Sequence, residues 1–223
     1  MKTICTLLFV MLMSSAIYPQ TSKVLEVPYK TQPNSYSCQS TCLKMMAMFH
    51  NMSGTNNKTV QSIYKEINEG EARPVKQKNA WKNMVWWLNS NDDTPSYTLL
   101  KTKNEAEAIE HIVKCINNDS PVIMSTNNFK TKGHLVLIVG YTNYVPNQSN
   151  PNFKLISHDP YGKFFPELHS NLYGSKRYDF GMSLPDGSED GVGKGVEITP
   201  TSLRRFRDDK HHTDYFVMIA ESD

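Results

Sequence analysis

Four residues in this chain have types and an order suited to acyl transfer: Gln32, Cys38, His134 and Asp159. Cys38 stands where the turn chemistry of residues 31–37 (TQPNSYS) gives way to the helical pattern of residues 38–50 (CQSTCLKMMAMFH). A thiol in the first turn of a helix meets backbone N–H groups that lack helical partners, and the positive end of the helix dipole. Both favour thiolate over thiol, and the thiolate is the nucleophile. It needs a base that also serves as its ion-pair partner. His134 directly precedes the apolar run LVLIVGY, at a sheet edge where it would face a cleft. An imidazole in that role needs an acceptor on its second nitrogen, to fix tautomer and orientation. Asp159 follows the next expected strand and comes close to His134 if the two strands are neighbours. Gln32 lies six residues before Cys38. Its amide and the Cys38 N–H can donate to a developing oxyanion. Each residue alone has a plainer reading, as a core cysteine, a polar strand cap, a turn aspartate or a loop glutamine. The joint order and placement favour the catalytic one.

The elements that must hold these groups follow from local patterns. Residues 24–29 (VLEVPY) alternate up to Pro28 and suggest a short entering strand. Residues 38–50 place Cys42, Met45, Met46 and Phe49 on one helical face, with Ser37 as the N-cap candidate. Further helices are expected over 59–68, over 79–89 (rich in Trp) and over 105–117, where Ala108, Ile109, Ile112 and Ile116 repeat at helical spacing. Residues 121–125, 135–141, 153–157 and 215–220 read as strands; 135–141 is apolar throughout and so buried on both faces. Residues 159–162 form a turn, 186–195 a Gly/Asp loop, and 201–207 a short helix. Helices lead and strands follow, so the fold class is α+β with an antiparallel sheet.

The chain has 223 residues, 24 Lys+Arg against 22 Asp+Glu, a formal net charge of +2 and 39% hydrophobic residues. This balance carries no electrostatic footprint for nucleic acid, and the composition argues against disorder and a multi-span membrane protein. Lys2, the apolar stretch 4–13 (broken only by Thr6) and the small residues Ser14, Ser15 and Ala16 give the order of a secretory signal peptide. The run is far shorter than the roughly 20 residues a membrane span needs. We therefore expect residues 1–20 to be removed, residues 21–223 to form one domain, and the protein to be secreted or periplasmic, with no integral span in the mature chain. Removal takes Cys5 and leaves Cys38, Cys42 and Cys115, an odd number, so at least one thiol stays free or pairs with another molecule. Cys38 and Cys42 on one helix would close a disulfide poorly.

Other features are weaker. His158 precedes Asp159 but on an extended segment points the opposite way. His211, His212 and Asp214 match no metal site of defined geometry, and no cofactor or metal is expected. Trp81, Trp86 and Trp87 read as core, with one of them a candidate groove wall.

As a set, VPYKTQPNSYSCQSTCLKMM, GHLVLIVGY and HDPYG resemble the papain-like cysteine peptidases related to the bacteriocin-processing, double-glycine-leader peptidases. The resemblance implies the papain-like fold, a helical part carrying the nucleophile packed on an antiparallel sheet carrying His and Asp. It implies Cys38 as nucleophile, His134 as general base, Asp159 as its orienting acid, Gln32 in the oxyanion hole and Cys42 as a second, structural cysteine. ITPTSLRRF resembles a short helix of free-standing, secreted members. Two departures stand out. Gln39 follows the nucleophile where relatives usually have glycine, and residues 178–195 look like an insertion. With no transporter or nucleotide-binding segment in view, a leader peptidase coupled to export is not expected. The expected function is hydrolysis of a peptide or amide bond in a peptide or protein substrate. The alternatives are an acyltransferase using the same groups and a non-catalytic peptide-binding module on the same fold.

Overall fold

The structure is a computed structural model that describes residues 21–34, 36–94, 96–127, 134–164, 178–179, 193–208 and 213–222. The expected signal peptide with Cys5, most of the expected insertion, and His211 and His212 lie outside these residues. In chain order the elements are β1 (Lys23–Val24), α1 (Cys38–Phe49), α2 (Val60–Asn68), α3 (Trp81–Asn91), β2 (Tyr97–Thr102), α4 (Glu105–Asn117), β3 (Val122–Thr126), β4 (His134–Thr142), β5 (Lys154–His158), β6 (Lys163–Phe164), β7 (Tyr178–Asp179), β8 (Val196–Ile198), β9 (Arg205–Asp208) and β10 (Thr213–Glu221). Eight strands make one antiparallel sheet in the order β2-β10-β3-β4-β5-β8, with β1 added to β4 and β9 to β10. β6 and β7 pair separately. No described helix is long and apolar enough to cross a membrane.

The sheet is centred on β4, buried from His134 through Tyr141 as its unbroken apolar run requires, with α1 and α4 packed against it. β1 crosses β4 at Gly140, where a Cβ would lie 2.5 Å from the Lys23 carbonyl oxygen, so only glycine permits the crossing. α2 and α4 begin at side-chain caps: Ser62 N–H donates to Thr59 Oγ1 (3.0 Å) and Ala106 N–H to Asn104 Oδ1 (2.9 Å). Trp87 of α3 is fully buried and its Nε1 donates to Glu66 Oε2 of α2 (2.7 Å), which also holds Lys58 Nζ (2.6 Å).

Several expectations need correction. The entering strand is only Lys23–Val24, because Val27 N–H turns back to Leu25 O (2.9 Å) and Pro28 has no N–H to give a ladder. α1 is buried nearly all round, at Gln39, Ser40, Thr41, Cys42, Leu43, Met45, Met46 and Ala47, while Phe49 is only partly so. α3 starts at Trp81, since Asn79 takes a left-handed φ of 58° outside the helix. The helix expected over 201–207 is a single 3-10 turn, Pro200–Ser202. Leu203 then swings to an extended conformation and β9 pairs Arg205 with Phe216 and Phe206 with Tyr215. The sequence pattern marks no element at β2 or β8: β2 shows no buried/exposed alternation and β8 is three residues long.

Candidate active site

Cys38 opens α1 and is half-buried. Ser37 occupies the N-cap position but does not cap: its hydroxyl donates back to Asn34 O (3.3 Å) and accepts no first-turn N–H. The expected capping role is therefore wrong, and the reason is the tight 34–37 turn. Its consequence is that the Gln39 N–H is free to reach the Cys38 sulfur, joined there by the Leu135 N–H of β4 and the His134 side chain. Burial pushes the Cys38 thiol up. Its hydrogen bond to His134, the His134 charge and the two backbone donors outweigh burial, and the thiol is held below its ordinary value.

His134 opens β4 and is 4% exposed. Its Nε2 lies 2.5 Å from Asp159 Oδ1, so Nδ1 is the ring nitrogen that meets the sulfur. Burial disfavours the imidazolium, but the Asp159 charge and hydrogen bond, with Cys38 on the other side, push its pKa up to about 10. The pairing that makes this possible is antiparallel β4 on β5, with Leu137 opposite His158, which sets the residue after β5 beside the start of β4.

Asp159 is 2% exposed and held through Oδ1 and both of its backbone polar groups. Oδ1 accepts from His134 and from Tyr161 N–H (2.9 Å). Its own N–H donates to Gly193 O (2.8 Å), and its carbonyl accepts from Tyr29 Oη (3.0 Å). Gln32 is buried. Its backbone N–H donates to Pro160 O (2.8 Å), its Nε2 to Asn34 O (2.6 Å), and Oε1 has no partner among the described residues. The structure thus brings Cys38, His134 and Asp159 into one line of hydrogen bonds, and ties Gln32 to both the Asp159 turn and the turn before Cys38.

Cys42 is fully buried one turn further along α1, its sulfur 3.6 Å from Leu135 O. Burial and the charges of Cys38 and Asp159 push its thiol well above the ordinary range. Among the described residues, Cys38, Cys42 and Cys115 form no disulfide. Gln39 does not crowd the sulfur: its buried side chain turns to Asn79 O (3.2 Å) on the loop between α2 and α3. That loop is fixed by Asn83, whose Nδ2 donates to Ile67 O (2.8 Å) and Val75 O (2.9 Å). Trp81 meets Phe206 of β9 edge-on at 5.6 Å. Sequence reasoning missed Tyr29, Tyr161 and Gly193 as supports of Asp159. A tyrosine after proline and a glycine in a Gly/Asp loop carry no mark of a contact made across the fold.

The model of the family described as Peptidase_C39 like family matches residues 24–173, a span that includes Gln32, Cys38, His134 and Asp159. Comparison with curated proteins finds no match. With an α+β fold in which a cysteine-headed helix packs on an antiparallel sheet, this match places the chain in the Peptidase_C39-like family, cysteine peptidases of the papain-like fold.

Proposed function

We propose that the chain is an exported cysteine peptidase or amidase that works through Cys38, His134 and Asp159, with Gln32 in the oxyanion hole. The observation that carries this reading is the line from a half-buried cysteine through a buried imidazole to a buried carboxylate, each link a hydrogen bond. Cys38 thiolate attacks the substrate carbonyl carbon, forming a C–S bond and moving the carbonyl electron pair onto oxygen. The Cys38 N–H and the second hydrogen of Gln32 Nε2 donate to that oxyanion. His134 imidazolium passes its Nδ1 proton to the leaving nitrogen as the C–N bond breaks, which leaves a thioester and a neutral imidazole. Water then attacks the thioester, His134 takes its proton, and the C–S bond breaks to return the thiolate and the imidazolium. Asp159 accepts from Nε2–H throughout and holds the ring in place. Gln39, which stands where relatives usually have glycine, turns its side chain to Asn79 O.

The test is a denatured-protein or peptide library incubated with wild type and with Cys38→Ala, with new termini read by mass spectrometry. Cleavages made by wild type and absent from Cys38→Ala support the reading; equal cleavage by both ends it. We further propose that residues 1–20 direct export and are removed, leaving residues 21–223 as one domain; the N-terminal sequence of protein recovered from the medium or periplasm tests this.

A further inference from the structure

A second buried histidine takes no part in that mechanism. His158 ends β5, is 3% exposed, and uses both ring nitrogens. Nε2 lies 2.9 Å from Val27 O and Nδ1 lies 3.2 Å from Gly195 N. A carbonyl only accepts and an amide N–H only donates, so the partners fix a neutral ring with its hydrogen on Nε2. The Tyr29 ring meets it edge-on at 5.6 Å.

The two segments it joins are the two that hold the backbone of Asp159. The entering segment carries Val27 and Tyr29, and the Tyr29 hydroxyl donates to Asp159 O (3.0 Å). The turn over 193–195 carries Gly193, whose carbonyl accepts the Asp159 N–H (2.8 Å). That turn has no slack. A Cβ on Gly193 would lie 2.0 Å from Asp159 O and 2.5 Å from Tyr29 Oη, and Gly195 has a left-handed φ of 67°. The expected insertion therefore ends in a piece that braces the acid.

We propose that His158 is a positioning residue: as a neutral imidazole it ties the entering segment to the 193–195 turn and so sets where Asp159 presents Oδ1 to His134. The inference rests on the peptidase reading only for its consequence in turnover. A proton on Nδ1 would face the Gly195 N–H, donor against donor, so acid should loosen the tie. The titratable and charged groups around the ring are Glu26 and Tyr29 on the entering segment, Lys194 on the turn and Asp159 next in the chain; β4 presents Leu137. Burial holds the ring neutral and Lys194 adds to this, against the backbone carbonyls of Val27 and Ser157 and the Glu26 charge.

The experiment is an NMR titration of the His134 imidazole, in full-length chain labelled at histidine nitrogen, for wild type, His158→Ala, His158→Gln and Tyr29→Phe. A displaced Asp159 no longer supports the imidazolium. His158→Ala should lower the His134 proton affinity by about tenfold or more, one pH unit. His158→Gln, with an amide N–H for Val27 O and an amide oxygen for Gly195 N–H, should restore most of it. A folded His158→Ala with an unmoved His134 midpoint overturns the inference. If His158→Ala does not fold, Tyr29→Phe carries the test: a lowered midpoint supports the brace, and a wild-type midpoint overturns it. Turnover surviving in Cys38→Ala would defeat the peptidase reading whatever the titration shows. An unmoved midpoint beside Cys38-dependent turnover defeats only the role of His158.

Discussion

Cys38 and Cys42 lie one turn apart on α1 and touch the backbone of the same residue of β4, yet their surroundings oppose each other. The Leu135 N–H donates to the Cys38 sulfur, while the Leu135 carbonyl receives the Cys42 thiol at 3.6 Å. In the first turn the backbone donors are uncommitted and His134 is in reach, so charge on sulfur is stabilised. In the second turn the helix has used its N–H groups and only an acceptor is offered. Burial and the nearby charges of Cys38 and Asp159 then keep that sulfur protonated. Reactivity of a thiol here is a matter of register between one helix and one strand, and a shift of four residues reverses it.

The largest expected effect removes the reactive member of the pair. Cys38→Ala should lower turnover by on the order of 10⁴-fold or more while thermal unfolding stays cooperative. Asp159→Asn leaves the sulfur in place and weakens its partner's support; kcat should fall by about 10²–10⁴-fold in a folded protein. Next comes pH. The thiolate–imidazolium pair exists between the lowered Cys38 pKa and the His134 pKa of about 10, so the alkaline limb of kcat/KM should fall near there. The sign for stability follows. His134 is raised above its unfolded value of about 6.5, so its contribution is complete below that pH and is lost as pH rises through about 10. The stability difference between wild type and His134→Gln, measured by denaturant unfolding, should shrink across that window. His158 acts the other way: its folded pKa is lowered, so stability falls as pH drops below about 6.5, and less so in His158→Gln.

Changing the inert member should move stability and little else. Cys42→Ala should cost about 1–3 kcal/mol in denaturant unfolding and leave kcat within a few-fold. The smallest effect is that of Ser37→Ala. It removes a hydrogen bond to Asn34 O, worth about 0.5–1.5 kcal/mol, and not a helix cap, so the alkylation rate of Cys38 should not change.

What could be read from sequence was whatever a single segment decides. α4 runs over Glu105–Asn117 as expected, because its apolar spacing and the Asn104 cap agree locally. β4 followed from an apolar run that only a central strand accommodates. The meeting of His134 and Asp159 needed one tertiary assumption, that β4 and β5 are neighbours, and pairing of consecutive strands is the ordinary outcome. Features set by contacts across the fold were out of reach. The hydroxyl of Ser37 turns away because of Asn34, and Gln39 finds a carbonyl on the loop before α3. Residues 205–208 are drawn into a strand by β10 although their own pattern reads as helix. Tyr29, His158 and Gly193 act on Asp159 from segments more than 30 residues away or, for His158, through two such segments.

The central claim is that Cys38 carries its charge because of His134, and the most direct test is the rate of iodoacetamide alkylation at pH 5.5, resolved by peptide mass for Cys38, Cys42 and Cys115. An ordinary thiol is almost wholly protonated there. The account predicts fast alkylation of Cys38 alone in wild type and its collapse in His134→Ala, with Cys42 unreactive in both. A slow rate at Cys38, the same in both proteins, would contradict it.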